Sequence, residues 1–202
     1  MNEIKRRFKD TEPVKAHLYI QSIFEGKMHT RKSSVIVVVL LAMLLQAGAV
    51  LADTPIQLAL FNPMQLRAET ENVTGLRLNL IYGKNASLTG VDFGMVNHLT
   101  APSLGLQWGF VNNVNSDFTG FQDGFINITD GDFLGLQNGA VNSAGNVTGL
   151  QGGFFNRADH VEGVQFGMIN MTDTMNGLQI GLLNFIQTNG QFPVFPIVNW
   201  SF

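Results

Sequence analysis

Residues 105–112 read GLQWGFVN, and close copies of this octapeptide recur along the chain. The later copies are GFQDGFIN, GLQNGAVN, GLQGGFFN, GVQFGMIN and GLQIGLLN. The units open at Gly75, Gly90, Gly105, Gly120, Gly135, Gly149, Gly163 and Gly177, so the spacing is 15 residues four times and then 14 residues three times. A period this short and regular predicts a stacked repeat architecture.

Four columns run through the last six units, and we number their positions from the first glycine as zero. Position zero is Gly105, Gly120, Gly135, Gly149, Gly163 and Gly177. Position two is Gln107, Gln122, Gln137, Gln151, Gln165 and Gln179. Position four is Gly109, Gly124, Gly139, Gly153, Gly167 and Gly181. Position seven is Asn112, Asn127, Asn142, Asn156, Asn170 and Asn184. These are the candidate structural residues of the repeat.

The repeat predicts short strands and tight turns rather than helix. Two glycines in each unit would cost a helix about 0.8–1 kcal/mol apiece relative to alanine. The units are rich in Val, Ile, Leu and Phe separated by Gly, Asn and Asp, which is typical of strands and corners. One unit cannot bury its apolar residues alone, but stacked units can. We therefore expect an all-β fold, a β-solenoid resembling a β-helix and built from 14–15-residue repeats.

Stacking like residues over like assigns a role to each column. Gln and Asn side chains can hydrogen-bond from unit to unit as amide ladders, and the glycines supply positive φ or close approach between layers. Positions five and six are both apolar, which indicates either two buried faces or a bend, and we favour a bend near position six or seven. We expect each unit to bury roughly three large apolar side chains.

The first 52 residues differ from the repeat. Residues 28–52 combine the basic pair Arg31 and Lys32, an apolar run from Val35 to Leu45, and small residues before Asp53. That layout predicts a secretory signal-peptide helix. Residues 1–27 are polar, and we expect them to be either an untranslated extension, with the true start at Met28, or a disordered segment.

Charge and cysteine content exclude some function classes. Residues 53–202 hold four basic and eleven acidic residues, a net charge of −7, which disfavours a nucleic-acid partner. The chain has no cysteine, so disulfides, thiol chemistry and a lipidated cysteine are excluded. The sequence predicts no cofactor and no metal.

Both ends of the array are divergent. Residues 53–74 form an entry segment in which PIQLALFN, from Pro55 onward, matches a degenerate first repeat. In the eight-unit array, residues 75–184, Arg77 and then Asp92 replace the glutamine. Residues 185–202 fit a degenerate capping repeat, with residues 197–199 at positions five to seven and two prolines that protect the edge.

No catalytic constellation is visible. The acidic residues of the array fall mostly in the variable half of each unit, where solvated turns are expected: Asp117, Asp123, Asp130, Asp132, Asp159, Glu162 and Asp173. His98 and His160 lie in separate units without a partner at metal-ligand spacing. We therefore predict a protein that is not an enzyme, while grouped carboxylates keep a carbohydrate-active β-helix as one alternative.

The first alternative to a solenoid scaffold, an integral outer-membrane β-barrel, comes from the C-terminus. Val194, Pro196, Val198, Trp200 and Phe202 alternate up to an aromatic last residue, which is typical of the closing strand of an outer-membrane β-barrel. Barrel strands need about 9–11 residues to cross a bilayer, and a 14–15-residue unit cannot hold two of them.

The pattern G-[LFV]-Q-x-G-φ-φ-N (φ, apolar), entered through PIQLALFN and GLRLNLIYGKN, resembles the bacterial surface repeat-containing proteins typified by a Leptospira family. The resemblance covers residues 55–199 and implies an exported envelope or surface scaffold with a structural, adhesive or ligand-contact role. It implies no catalytic residues. The expected location is the periplasm, outer membrane or cell surface, and the expected partner is a surface ligand or envelope component, with outer-membrane association possible.

Overall fold

The computed structural model describes residues 55–202 and consists of strands joined by short turns. The strands are β1 (Ile56–Phe61), β2 (Met64–Gln65), β3 (Val73–Asn85), β4 (Leu88–Leu99), β5 (Ser103–Val114), β6 (Phe118–Thr129), β7 (Phe133–Ile186) and β8 (Val194–Ser201). The described residues form no helix, so none of them lies in a helix long and apolar enough to cross a bilayer. The predicted extension and signal-peptide helix lie outside the described residues.

Successive units pair in parallel and in register. Gly75 lies beside Gly90, which lies beside Gly105, and the pairing continues through Gly120 to Gly135. β7 continues the stack, because Gly149 packs against the carbonyl of Gly135 in the same way. The structure thus confirms the predicted all-β β-solenoid with a repeat of 14–15 residues.

The glycines at position zero have a backbone that other residues rarely adopt. Their φ angles lie between 132° and 150° in all eight units. At Gly135, with φ 139°, a Cβ would collide with the carbonyl oxygen of Gly120 in the layer below. The period of the sequence therefore reflects a steric requirement that recurs once in each layer.

The interior differs from the predicted one. From the second unit to the eighth, the buried positions are the residue two before the first glycine, the position-two residue, the Asn at position seven and the residue at position nine. Only the first and last of these are usually apolar, as with Phe133 and Ala144. The expectation of roughly three large buried apolar side chains per unit is wrong. The apolar residues at position five point outward like those at positions one and three, and a corner before position seven turns the asparagine inward.

The first strand joins the stack as a layer of its own. β1 pairs in parallel with β3, placing Gln57 beside Arg77 and Ala59 beside Asn79. β2 folds back antiparallel on β1 and covers that end of the sheet.

The last strand departs from the predicted register. β8 pairs antiparallel with the end of β7, so Asn199 lies opposite Gln179 and Ile197 lies opposite Gly181. Asn199 was expected to extend the column of Asn184, and that expectation is wrong. Connection length does not explain the reversal, since the seven residues between Ile186 and Val194 outnumber the two or three that join the earlier parallel strands. Pro193 and Pro196 have no N–H to donate to a ladder, which disfavours a further parallel layer at this end.

Candidate functional site

The glutamines at position two form a continuous hydrogen-bonded ladder inside the solenoid. Each is fully buried, and from Gln122 onward its Nε2 donates to Oε1 of the glutamine one unit nearer the N-terminus. The distances are 2.7–2.9 Å from Gln122 to Gln179. We call this set, Gln107, Gln122, Gln137, Gln151, Gln165 and Gln179, the glutamine column. It was predicted as a possible amide ladder, and the structure confirms that geometry.

The asparagines at position seven form a second ladder that runs in the opposite sense. Nδ2 of Asn112 donates to Oδ1 of Asn127 at 2.8 Å, one unit nearer the C-terminus, and the pattern repeats to Asn184. The same amide also donates to a backbone carbonyl of the next unit, for example that of Asp123 at 3.0 Å. We call Asn97 and the six asparagines above it the asparagine column. Each amide in it is fully buried and spans two layers.

A buried ion pair closes the N-terminal end of the glutamine column. Nε of Arg77 donates to Oδ1 of Asp92 at 2.9 Å, and neither side chain is exposed. The other carboxylate oxygen of Asp92 accepts from Nε2 of Gln107 at 2.9 Å, and Asn79 donates to Oδ1 at 3.0 Å. The remaining guanidinium nitrogens of Arg77 reach the carbonyls of His98 and Gly83.

Burial and the neighbouring groups have opposite effects on the pKa of the Asp92 carboxyl. Burial raises the pKa of the Asp92 carboxyl above its ordinary value, while the Arg77 guanidinium and the hydrogen bond from Gln107 act to lower it. The carboxylate accepts three hydrogen bonds, so its charge is solvated by the fold instead of by water. Its role is structural, since all of these partners lie in the sealed interior.

At the C-terminal end the glutamine column has no such terminator. Oε1 of Gln179 is buried and finds no donor among residues 55–202. The asparagine column ends differently, because Nδ2 of Asn184 donates to the carbonyl of Phe195 in β8 at 3.1 Å. The antiparallel strand therefore completes one column and leaves the other open.

The outward side of positions one, three and five carries the largest exposed apolar surface of the described residues. We call it the apolar face. Its position-five side chains are mostly 44–69% exposed: Leu80, Met95, Phe110, Phe125, Phe154, Met168 and Leu182. Rings stack along it, with Phe93 and Trp108 centred 5.0 Å apart and Phe110 and Phe125 5.1 Å apart. The face is therefore an ordered array of side chains in rows.

A groove runs along the N-terminal part of the apolar face. Position three supplies one wall and position five the other, with Ala59, Asn79 and Gly94 as the floor. The volume is about 640 Å³, and the walls are Leu58, Leu60, Leu78, Leu80, Phe93 and Met95. No titratable side chain lines it, so the groove can make apolar contacts and offers no acid or base.

The carboxylates and histidines singled out from the sequence are not brought together into a site. Asp117 accepts from the backbone N–H of Asp132 at 2.8 Å, which is a turn-stabilising contact. His98 is hydrogen-bonded to Tyr82 and Asn115, and His160 to Thr174. Within residues 55–202 no three His, Asp or Glu side chains could jointly hold a metal ion.

Sequence reasoning missed the Arg77–Asp92 pair. Both residues stand where later units have glutamine, and they were interpreted only as divergence of terminal units. The signal was present, since opposite charges one period apart in one column meet in adjacent layers of a solenoid. The apolar face was missed because apolar residues are usually buried, so those at positions one, three and five were predicted to lie in the interior.

Comparisons with known proteins add no relative: no family model, curated protein or solved structure matches the chain.

Proposed function

We propose that the chain is an exported bacterial envelope or surface scaffold whose role is structural, adhesive or ligand-contacting. The observation that carries the proposal is the inverted arrangement of the repeat. Neutral amides occupy two of the four buried columns and mostly apolar residues the other two, while further apolar side chains are displayed outside in rows. A fold whose repeats present a regular exposed surface is suited to binding a partner rather than to catalysing a reaction.

Export is supported by the sequence. Residues 28–52 have the layout of a secretory signal peptide, and the chain has no cysteine that an oxidising compartment would modify. The amide ladders suit such a compartment, because they hold the layers together without disulfides.

Cell fractionation tests the location. The full chain, expressed in a bacterium with two membranes, should appear in the periplasmic or envelope fraction with its first 52 residues removed. Alkaline carbonate should release it from membranes if it is held there peripherally. Recovery in the cytosol at full length would contradict the proposal. Protease treatment of intact cells then separates surface display from a periplasmic location.

The absence of catalysis is tested separately. Substitution of the exposed carboxylates in pairs, beginning with Asp117→Asn and Asp132→Asn, should leave every measurable property of the surface unchanged except turn stability. Turnover of any glycan in a broad panel by the parent chain, lost in the paired variant, would replace the scaffold proposal with the carbohydrate-active alternative.

A further inference from the structure

The apolar face is larger than a monomeric protein usually exposes. Its twelve largest exposed apolar side chains present on the order of 1,000 Å², whereas a standard interface buries about 800 Å² per partner and isolated patches reach a few hundred. They are Leu78, Leu80, Phe93, Met95, Phe110, Phe125, Leu136, Leu150, Phe154, Phe166, Met168 and Leu182. A surface of this area needs a partner.

Position three of the face reads as a sequence that is complementary to its own reverse. From the first unit to the eighth it is Leu78, Phe93, Trp108, Asp123, Asn138, Gly152, Phe166 and Ile180. Pairing the first unit with the eighth sets an aliphatic side chain against an aliphatic one, and pairing the second with the seventh sets phenyl against phenyl. Next, the largest side chain, Trp108, meets the smallest, Gly152, and finally the carboxylate of Asp123 meets the amide of Asn138.

Positions five and one repeat the relation. Position five reads Leu80, Met95, Phe110, Phe125, Ala140, Phe154, Met168 and Leu182. Reversed pairing gives Leu with Leu, Met with Met, Phe with Phe, and the large Phe125 with the small Ala140. Position one reads Leu76, Val91, Leu106, Phe121, Leu136, Leu150, Val164 and Leu178, which pairs Leu with Leu, Val with Val, Leu with Leu, and Phe with Leu.

We propose that the apolar face is the interface of a homodimer in which a second copy of this chain packs with its solenoid axis reversed. The two-fold axis lies in the interface along the strand direction. It passes between the fourth and fifth units, so each column faces itself and the first unit meets the eighth. Such an interface is isologous, which requires a surface that is complementary to its own rotated copy.

The pairing of a carboxylate with an amide favours reversed over parallel solenoid axes. In the reversed dimer the carboxylate of Asp123 faces the amide of the partner's Asn138, and the two-fold axis makes this contact occur twice. Within one chain Nδ2 of Asn138 already donates to Oδ1 of Asp123 at 2.6 Å. An amide has two N–H donors and a carboxylate two oxygens, so a second bond across the axis is available. Copies with parallel axes would instead set Asp123 against Asp123, and Trp108 against Trp108.

A bilayer surface fits the face less well than a second copy does. Residues 53–202 have a net charge of −7, and the face carries no Lys or Arg to meet lipid headgroups. A carboxylate lies at its centre, in Asp123, where insertion into hydrocarbon would desolvate it without a counter-charge. The reversed copy gives that carboxylate a donor.

Chemical cross-linking tests the reversed register directly, because the chain has no cysteine of its own. Phe93→Cys and Phe166→Cys are introduced into separate full-length chains and purified from a bacterial expression host. The two positions lie five layers apart in one chain, about 24 Å, beyond the reach of a short bismaleimide. We expect cross-linked dimer when the two variants are mixed and little when either is treated alone. Dimer from each variant alone would show parallel axes and overturn the proposal.

Light scattering with size-exclusion chromatography tests the face itself. Phe166→Glu should raise the dimer dissociation constant at least ~30-fold, the effect of removing an interface hot spot. Ile128→Glu is the matched control: Ile128 follows the buried Asn127 on another wall, and its variant should remain a dimer. Circular dichroism of both variants checks that each is folded.

A folded parent chain that is monomeric at tens of micromolar would overturn the proposal. If that monomer also co-sediments with phosphatidylcholine vesicles, the face is assigned to lipid. The dimer does not depend on export, so a cytosolic chain that dimerises would refute only the proposed function.

Discussion

The two N-terminal units and the six that follow use the same column in different ways. From Gln107 to Gln179 position two is a ladder of neutral amides, whereas in the first two units it is the ion pair of Arg77 and Asp92. Both versions are fully buried. At its N-terminal end the glutamine column therefore finishes on a charged acceptor, because the carboxylate of Asp92 accepts from Gln107.

Breaking the charged layer on one side should have the largest effect. Asp92→Gln leaves the Arg77 guanidinium buried without a counter-charge, and we expect a loss of about 3–5 kcal/mol in the free energy of unfolding. Chemical denaturation measures it.

The matched double variant, Arg77→Gln with Asp92→Gln, continues the glutamine column into the first two units. We expect it to recover more than half of the loss, because neutral amides can replace the pair without a buried charge. If the double variant were as unstable as Asp92→Gln alone, the two versions of the column would not be interchangeable.

Steric demand at position zero is common to both regions and should have the next effect. Gly135→Ala forces a Cβ toward the carbonyl of Gly120 at φ 139°, and we expect a loss of at least about 1–3 kcal/mol. Both substitutions are made in the Phe166→Glu background, where the dimer contact is weakened, and Gly152→Ala is the control, since its Cβ would meet nothing in its own chain closer than 3.5 Å. Equal melting temperatures for the two variants would contradict the account of close backbone approach.

Interrupting the ladder in its neutral part should cost less than breaking the ion pair. In Gln137→Leu, Gln151 loses an acceptor and Gln122 loses a donor, and we expect a loss of about 1–3 kcal/mol. Each neighbour keeps a second partner: Nε2 of Gln151 also donates to the carbonyl of Arg157, and Oε1 of Gln122 also accepts from Thr129. A loss as large as that of Asp92→Gln, by chemical denaturation, would mean that the amides act as one indivisible unit.

An exposed ion pair sets the lower end of the scale. Arg157 and Asp159 lie 3.4 Å apart with both side chains largely in solvent. Asp159→Ala should change the free energy of unfolding by less than about 0.5 kcal/mol, because water screens the charges. A change above 1 kcal/mol in thermal melting would show that this corner contributes more than its exposure indicates.

The sequence was sufficient for the features that repeat. The glycine period predicts the solenoid, and Gln and Asn at fixed spacing predict ladders, because identical residues in register have one simple way to satisfy identical hydrogen-bonding groups. The column at position nine was invisible, since Leu99, Thr129 and Ala144 share burial but no side-chain type.

What could not be predicted depends on direction and on sidedness. The residue two before the first glycine and the residue at position five are both usually apolar. The backbone nevertheless turns the former inward and the latter outward. The reversal at β8 could not be predicted from the columns, because the 15 residues from Gly177 to Phe192 also fit a further parallel turn.

The opposite directions of the two amide columns bear on how long such a protein can become. A single column of aligned amides would add one dipole per layer and build a growing electric moment, as a helix does. Here the glutamines and asparagines point in opposite senses, so each new unit contributes two moments that largely cancel. Units can be gained or lost from the middle of the array without an accumulating electrostatic cost, and only the ends set its limits.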